Sequence, residues 1–172
     1  MGILSSHLGR PFSLHNERGL YVLSFQAFGT SCKVKFSPLD SINHEFISSE
    51  IVFWVSNFEK RYSRYLTRSW LSLVNKSAGI EAVKFTDEDR PILSAAHYTF
   101  FKSNQTIDPS CLPLTRLWQN AKEQNQLPED SAIHQANSLV NWHNVVLTEE
   151  EIFLPESGMG LDFGGFGKEF AV

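Results

Sequence analysis

LYVLSFQAFGTSCKVKFSPLDSINHEFISSEIVFWVSNFEKRY, Leu20 to Tyr62, changes its periodicity once, and that change sets the fold class. Up to Phe36 the period is two. Val22, Ser24 and Gln26 alternate with Leu23 and Phe25, and Cys32, Val34 and Phe36 alternate with Lys33 and Lys35. This predicts two short strands around Phe28-Gly29-Thr30. From about Ser41 to Tyr62 the period becomes helical: Ile47, Ile51, Trp54, Val55 and Phe58 share one stripe, with Glu50, Glu59 and Lys60 off it. That stripe is expected to be core.

Downstream, Ser63 to Gly79 is polar punctuation followed by a short apolar turn. Thr86-Asp87-Glu88-Asp89 supplies cap-type and acidic first-turn residues for a helix running to about Phe101. Ile107 to Trp118 reads as a Pro-containing loop leading to a short helical piece, and Pro128-Glu129-Asp130-Ser131 begins another helix, through about Val140. Val145 to Leu147 and Ile152 to Leu154 flank Thr148 to Glu151 as a hairpin, and Leu161-Asp162-Phe163 reads as a last short strand. Helices and hairpins are interspersed without a βαβ rhythm, so the predicted class is α+β. Residues 1–19 read as an N-terminal extension and 20–172 as one domain.

Composition narrows the function. The chain has 172 residues, 42% hydrophobic and 20% charged, within the range of globular proteins that bury a core. A net charge of −4 gives no electrostatic footprint for nucleic acid. The densest basic stretch, KRYSRYLTR (Lys60 to Arg68), interleaves Tyr62 and Tyr65 with its charges. It reads as a local anion or phosphate site or as a solvated helix end. Cys32 and Cys111 are too far apart in sequence to suggest a disulfide framework or zinc motif, and the six histidines form no HxxxH or HExxH spacing. No apolar run approaches the roughly 20 residues of a membrane span, and no secretory h-region or lipoprotein cysteine is seen. A cytoplasmic location is expected. Gly2 followed by Ser6 formally fits a myristoylation pattern.

GLDFGGFGKEFAV, Gly160 to Val172, has more glycines than a connection requires. Asp162 stands where a P-loop needs glycine and Glu169 where it needs Ser or Thr. The spacing of Gly158, Gly160 and Gly164 is not a dinucleotide fingerprint. Two readings stand: a plain strand-turn-helix corner, or a glycine turn whose following helix, with Lys168 in its first turn, receives an anion.

Taken in order, AFGT (27–30), SRYLTRSWLSLVN (63–75), TIDPSCLPLTRLW (106–118) and LDFGGFGKEFAV (161–172) resemble the successive motifs of the FAD:protein FMN transferases, the ApbE family. That family shows an A-M-G-T turn, an S-x-Y-x-x-x-S-x-x-x-x-x-N stretch, an F-D-P-T-x-x-P-L-x-x-L-W segment and a D-L-G-G-x-x-K-G-Y-A-x-D corner. The similarity spans about Leu20 to Val172, but only the N-terminal half or so of a family member.

The resemblance implies an α+β flavin-binding fold in which FAD is cleaved with Mg²⁺. FMN passes through its phosphate to a threonine of a target flavoprotein and AMP leaves; some members instead hydrolyse FAD to FMN and AMP. Matched motif to motif, Phe28 takes a flavin-contacting Met position and Tyr65 an aromatic position at the flavin. Thr106, Ile107 and Asp108 match the loop that lines FAD, Asp162 an FAD-binding acid, and Lys168 a charged FAD-binding position. Gly165 matches a residue whose backbone carbonyl ligates the metal. Tyr65 and Asp162 are expected to face one cleft.

The departures are Gln105, Ile107 and Ser110 around the F-D-P-T block and Glu169 after the lysine. The resemblance also places acidic and threonine metal ligands in a C-terminal portion, since a lone carbonyl does not hold Mg²⁺. A non-catalytic flavin-binding or interaction domain therefore stands beside the transferase. So does completion of the site by homodimerisation or by a separately encoded C-terminal half.

Overall fold

The computed structural model describes residues 4–5, 10–38 and 43–170. The myristoylation pattern at Gly2 and Ser6, the expected helix start at Ser41 and the final Ala171-Val172 lie outside them. The chain divides into two compact units, Met1–Arg61 and Tyr62–Val172.

The first unit is a four-stranded antiparallel meander, β1 (Leu4–Ser5), β2 (Pro11–Glu17), β3 (Leu20–Ala27) and β4 (Thr30–Phe36), followed by α1 (His44–Tyr62). The two predicted strands are β3 and β4. Strand β2 lies in the stretch read as an extension, where Pro11, His15 and Asn16 hide its alternation; it pairs with β3 along its length, from Phe12 opposite Phe25 to Glu17 opposite Leu20. Both full hairpins close on two residues with positive φ, Arg18-Gly19 (53° and 87°) and Phe28-Gly29 (54° and 69°). These are type I′ turns, whose twist matches that of the flanking strands.

Phe12, Leu23, Phe25 and Ala27 from the sheet form a core with Val52 and Val55 of α1. The helix is rotated relative to expectation: Ser48, Val52, Val55, Ser56 and Phe58 are buried, whereas Trp54 is 46% exposed. Ser48 and Ser56 lie on the buried face because each hydroxyl donates to the carbonyl four residues back, His44 and Val52, at 2.7 Å.

The second unit contains α2 (Trp70–Lys76), β5 (Val83–Lys84), α3 (Arg90–Lys102), α4 (Leu112–Gln124), α5 (Asp130–Ser138), a 3₁₀ turn (Trp142–Asn144), β6 (Val146–Leu147), β7 (Glu151–Phe153) and α6 (Gly167–Phe170). The predicted hairpin is β6–β7, and β5 adds to the other edge of β7. Helix α2 replaces the predicted apolar turn. Ser69 starts it by accepting the Ser72 N–H on its hydroxyl at 3.0 Å.

Leu161-Asp162-Phe163 is not a strand. Gly160 forms an isolated parallel bridge with Cys111, and the next residues find side-chain partners instead of a ladder. The Asn75 carboxamide accepts the Leu161 N–H at 2.6 Å and donates to the Leu161 carbonyl at 3.0 Å, both buried. One side chain thus supplies what a neighbouring strand would.

Candidate functional site

Helix α3 ends in a Schellman motif. Asn104 and Gln105 have φ of 51° and 66°. Their N–H groups donate to the Phe101 and Phe100 carbonyls at 3.2 and 2.8 Å. The reversal delivers Thr106, Ile107 and Asp108 into a loop that the Ser103 residue holds. The Thr106 hydroxyl donates to the Ser103 carbonyl, and the Ile107 N–H donates to the Ser103 hydroxyl at 3.0 Å. Asp108 then locks the turn into α4: Oδ1 accepts the Ser110 N–H and hydroxyl at 2.7 and 2.6 Å, while Oδ2 accepts the Trp142 N–H at 3.2 Å.

The glycine corner lies alongside this loop. The Asp162 N–H donates to the Pro109 carbonyl at 2.8 Å and the Leu112 N–H to the Gly160 carbonyl at 3.3 Å. Glycine at 160 eases so close an approach, since a Cβ there would sit 2.8 Å from Leu112 Cδ2 and the leucine would have to shift. Asp162 caps its own turn, with Oδ1 accepting the Gly164 N–H at 2.8 Å. The structure shows the turn that both readings of the corner share; α6 is a four-residue piece, and its first N–H, from Gly167, is bonded to the Phe163 carbonyl at 2.7 Å.

Loop and corner enclose a cleft of about 750 Å³, lined by Thr106, Ile107, Asp108, Asp162 and Gly165 among the expected site residues. Phe100, Leu114, Val140 and Phe166 give it apolar walls, and Gln105, Asn137, Asn141 and His143 polar ones. The lining is thus mixed, with polar and apolar side chains in similar number. Cys111 also lines it. Burial raises the Cys111 thiol above its ordinary pKa, aided by the Asp162 and Asp108 carboxylates and opposed by a Thr115 hydrogen bond. The thiol therefore stays protonated near neutral pH and is a poor nucleophile.

Tyr65 is 68% exposed, which removes a core-packing role. Its connection to Asp162 runs through Arg64. The guanidinium Nε lies 2.8 Å from Asp162 Oδ2, and Nη2 donates to Tyr65 Oη at 2.6 Å. The sequence offered Arg64 only as part of a basic stretch. Asn75 closed the quoted S-x-Y…N motif, and the structure shows it holding Leu161, next to Asp162.

Three expected residues are not among those lining the cleft: Tyr65, which is joined to Asp162 through Arg64, and Phe28 and Lys168. Phe28 belongs to the first unit, at the β3–β4 tip, where its N–H donates to Glu59 Oε1 at 2.6 Å and its ring meets Phe58 edge-on at 5.9 Å. Lys168 is exposed on α6. Among the described residues no group of three or more His, Cys, Asp or Glu could hold a metal ion. Gly165 and Asp162 alone do not provide the oxygen set that Mg²⁺ demands.

Solved structures share this fold. An ApbE protein from Thermotoga maritima superposes with a TM-score of 0.79 at 24% identity, covering 88% of this chain and 50% of its own. The flavin transferase ApbE from Vibrio cholerae gives 0.77 at 15%, covering 94% and 52%. The apo form of the flavinyl transferase ApbE from Pseudomonas stutzeri gives 0.76 at 17%, covering 94% and 51%. At these identities the likeness is one of fold, and the chain spans about half the length of those α+β structures. No curated protein matches significantly. The family model of the ApbE family matches residues 28–172, and the chain belongs to that family.

Proposed function

We propose that the chain provides the FAD-binding part of a flavin transferase that moves FMN from FAD to a threonine of a target flavoprotein. In that reaction the threonine oxygen bonds to the phosphorus of the FMN half, the pyrophosphate bond breaks and AMP leaves. The observation that carries this reading is the convergence of Thr106, Ile107, Asp108, Asp162 and Gly165 on one cleft, in a chain of the ApbE family. The apolar walls would shield the bound nucleotide from water, and Asp162 would accept a hydrogen bond from it. Mg²⁺ would neutralise phosphate charge; its ligands are not assembled among the described residues. We include in the proposal a cytoplasmic location. The complementary half of the site would come from a second copy of the chain or from a segment equivalent to the rest of the longer ApbE structures. No described helix is long and apolar enough to cross a membrane.

The test is incubation with FAD, Mg²⁺ and a threonine-bearing flavoprotein target, alone and with such a segment, following AMP and protein-bound FMN. Both products in equal amounts are expected. AMP without protein-bound flavin would reassign the chain to FAD hydrolysis, and FAD binding without AMP would make it a non-catalytic flavin-binding domain.

A further inference from the structure

We propose that Arg64 is a positioning residue that holds the Tyr65 ring and the Asp162 carboxylate as one unit at the edge of the flavin-nucleotide cleft. The inference rests on the reading above. Tyr65 is largely exposed, and an unheld tyrosine of that exposure samples several rotamers. Here its hydroxyl accepts from Arg64 Nη2 at 2.6 Å, and the guanidinium carbon lies 4.2 Å from its ring centroid. The same guanidinium meets Asp162 Oδ2 through Nε at 2.8 Å, and this pair is well shielded, with side chains 13% and 14% exposed. Asp162 is thereby oriented from both sides, Oδ1 by the Gly164 N–H and Oδ2 by Arg64. Each oxygen keeps a further acceptor site for a ligand.

The backbone of this segment is anchored as well. The Ser69 hydroxyl donates to the Ser63 carbonyl at 2.6 Å, the Ser72 hydroxyl to the Arg64 carbonyl at 3.4 Å, and the Tyr65 N–H to the Ser63 hydroxyl at 3.3 Å. The arginine thus springs from a fixed base. Its planar fork reaches two partners in different directions while stacking on a ring, which a lysine ammonium on a flexible stem does not reproduce. Holding ring and carboxylate in their working places before a ligand arrives reduces the ordering cost of binding.

The test compares native chain, Arg64→Met, Arg64→Lys and Tyr65→Phe by melting temperature, FAD affinity and the fluorescence of bound FMN at saturation. Arg64→Met is expected to weaken FAD roughly tenfold and to leave bound FMN less quenched, because the Tyr65 ring is no longer held. Arg64→Lys is expected to keep the native melting temperature, retaining the charge pair, yet to weaken FAD about fivefold. If Arg64→Met does not fold, the lysine variant and the non-additivity of Arg64→Lys with Tyr65→Phe carry the test. Native affinity and native quenching in Arg64→Lys would overturn the inference. So would losses in melting temperature with flavin binding unaltered, which describe a merely structural ion pair. Absence of FAD and FMN binding by the native chain would overturn the underlying flavin reading and the inference with it.

Discussion

The two units are held by different means. In the first, alternation does the work: Leu23, Phe25 and Ala27 meet Val52 and Val55, and the backbone is satisfied by long, regular ladders. The second has an apolar core of its own, including Leu71, Ile92, Phe100, Leu112 and Leu161, but its three-stranded sheet has strands of only two or three residues, and in its turns and loops buried and half-buried polar side chains take over the backbone's hydrogen bonding. Asn75 serves Leu161, Asp108 serves Ser110 and Trp142, and Asp89 receives the Thr86 N–H at 2.8 Å and the Tyr62 hydroxyl at 2.8 Å. An apolar sheet tolerates many sequences of the right period; a set of polar clamps tolerates few, because each needs a donor and an acceptor in fixed places. The expected cleft lies where the clamps are.

The largest expected effect probes the apolar sheet core of the first unit. Leu23 is fully buried, so Leu23→Ala should cost about 3 kcal/mol through lost burial and the cavity left behind. Leu23→Met, which conserves volume, should cost less than about 1.5 kcal/mol. Urea unfolding of both variants checks the contrast, and equal losses would mean that the sheet core is as shape-specific as the clamps.

Asn75 probes the polar clamps of the second. Asn75→Ala leaves the buried Leu161 N–H and carbonyl without their partner, a loss of about 2 kcal/mol. The near-isosteric Asn75→Leu should be no better, because shape is not what the site requires. A leucine variant with native stability in the same urea experiment would break the comparison between the units.

The same contrast explains what could be read from sequence. Strands β3 and β4 and helix α1 were legible because burial imposes a period, and the β6–β7 hairpin because two short apolar runs flank a polar turn, although Val146 and Leu147 of β6 are exposed. Trp54 misled because hydrophobicity marks a stripe without saying which edge of it faces inward; the serines at 48 and 56 are polar residues on the buried face whose hydroxyls are satisfied within the helix. The glycine corner was legible as special, but its Leu161-Asp162-Phe163 segment was read as a strand because the Asn75 partner lies 86 residues away. Of the expected site, the family motifs carried Thr106, Ile107, Asp108, Asp162 and Gly165 to one place. Arg64 was missed because a charge in a basic run has no sequence mark of the carboxylate it will meet.

Tyr65 gives a smaller effect and separates stability from binding. Its exposure predicts that Tyr65→Ala changes the melting temperature little, while the loss of a stacking ring weakens FAD by about 1 kcal/mol, or roughly fivefold. Asp162→Ala should weaken FAD too, and should also lower stability because the Gly164 cap and the Arg64 pair go with it. Fluorescence titration beside thermal melting reads both quantities. A Tyr65→Ala chain that melts early and binds FAD normally would move Tyr65 out of the site and into the fold.

The smallest stability change is expected at Phe28, where the two modes of construction meet. The β3–β4 hairpin needs positive φ at both turn residues, and Phe28 adopts 54°, a conformation costing a non-glycine residue about 1 kcal/mol. Asparagine is the residue that type I′ turns favour there, so Phe28→Asn should relieve that cost. Against this stands the loss of the ring's edge-on contact with Phe58 and its packing on the sheet core. The two nearly cancel, leaving a net change within about 1 kcal/mol by urea unfolding. The backbone bond from the Phe28 N–H to Glu59 should survive, since it does not involve the side chain. FAD affinity then decides why a phenylalanine is kept in a strained turn. A several-fold loss at unchanged stability assigns the ring to the flavin; native affinity assigns it to the sheet alone.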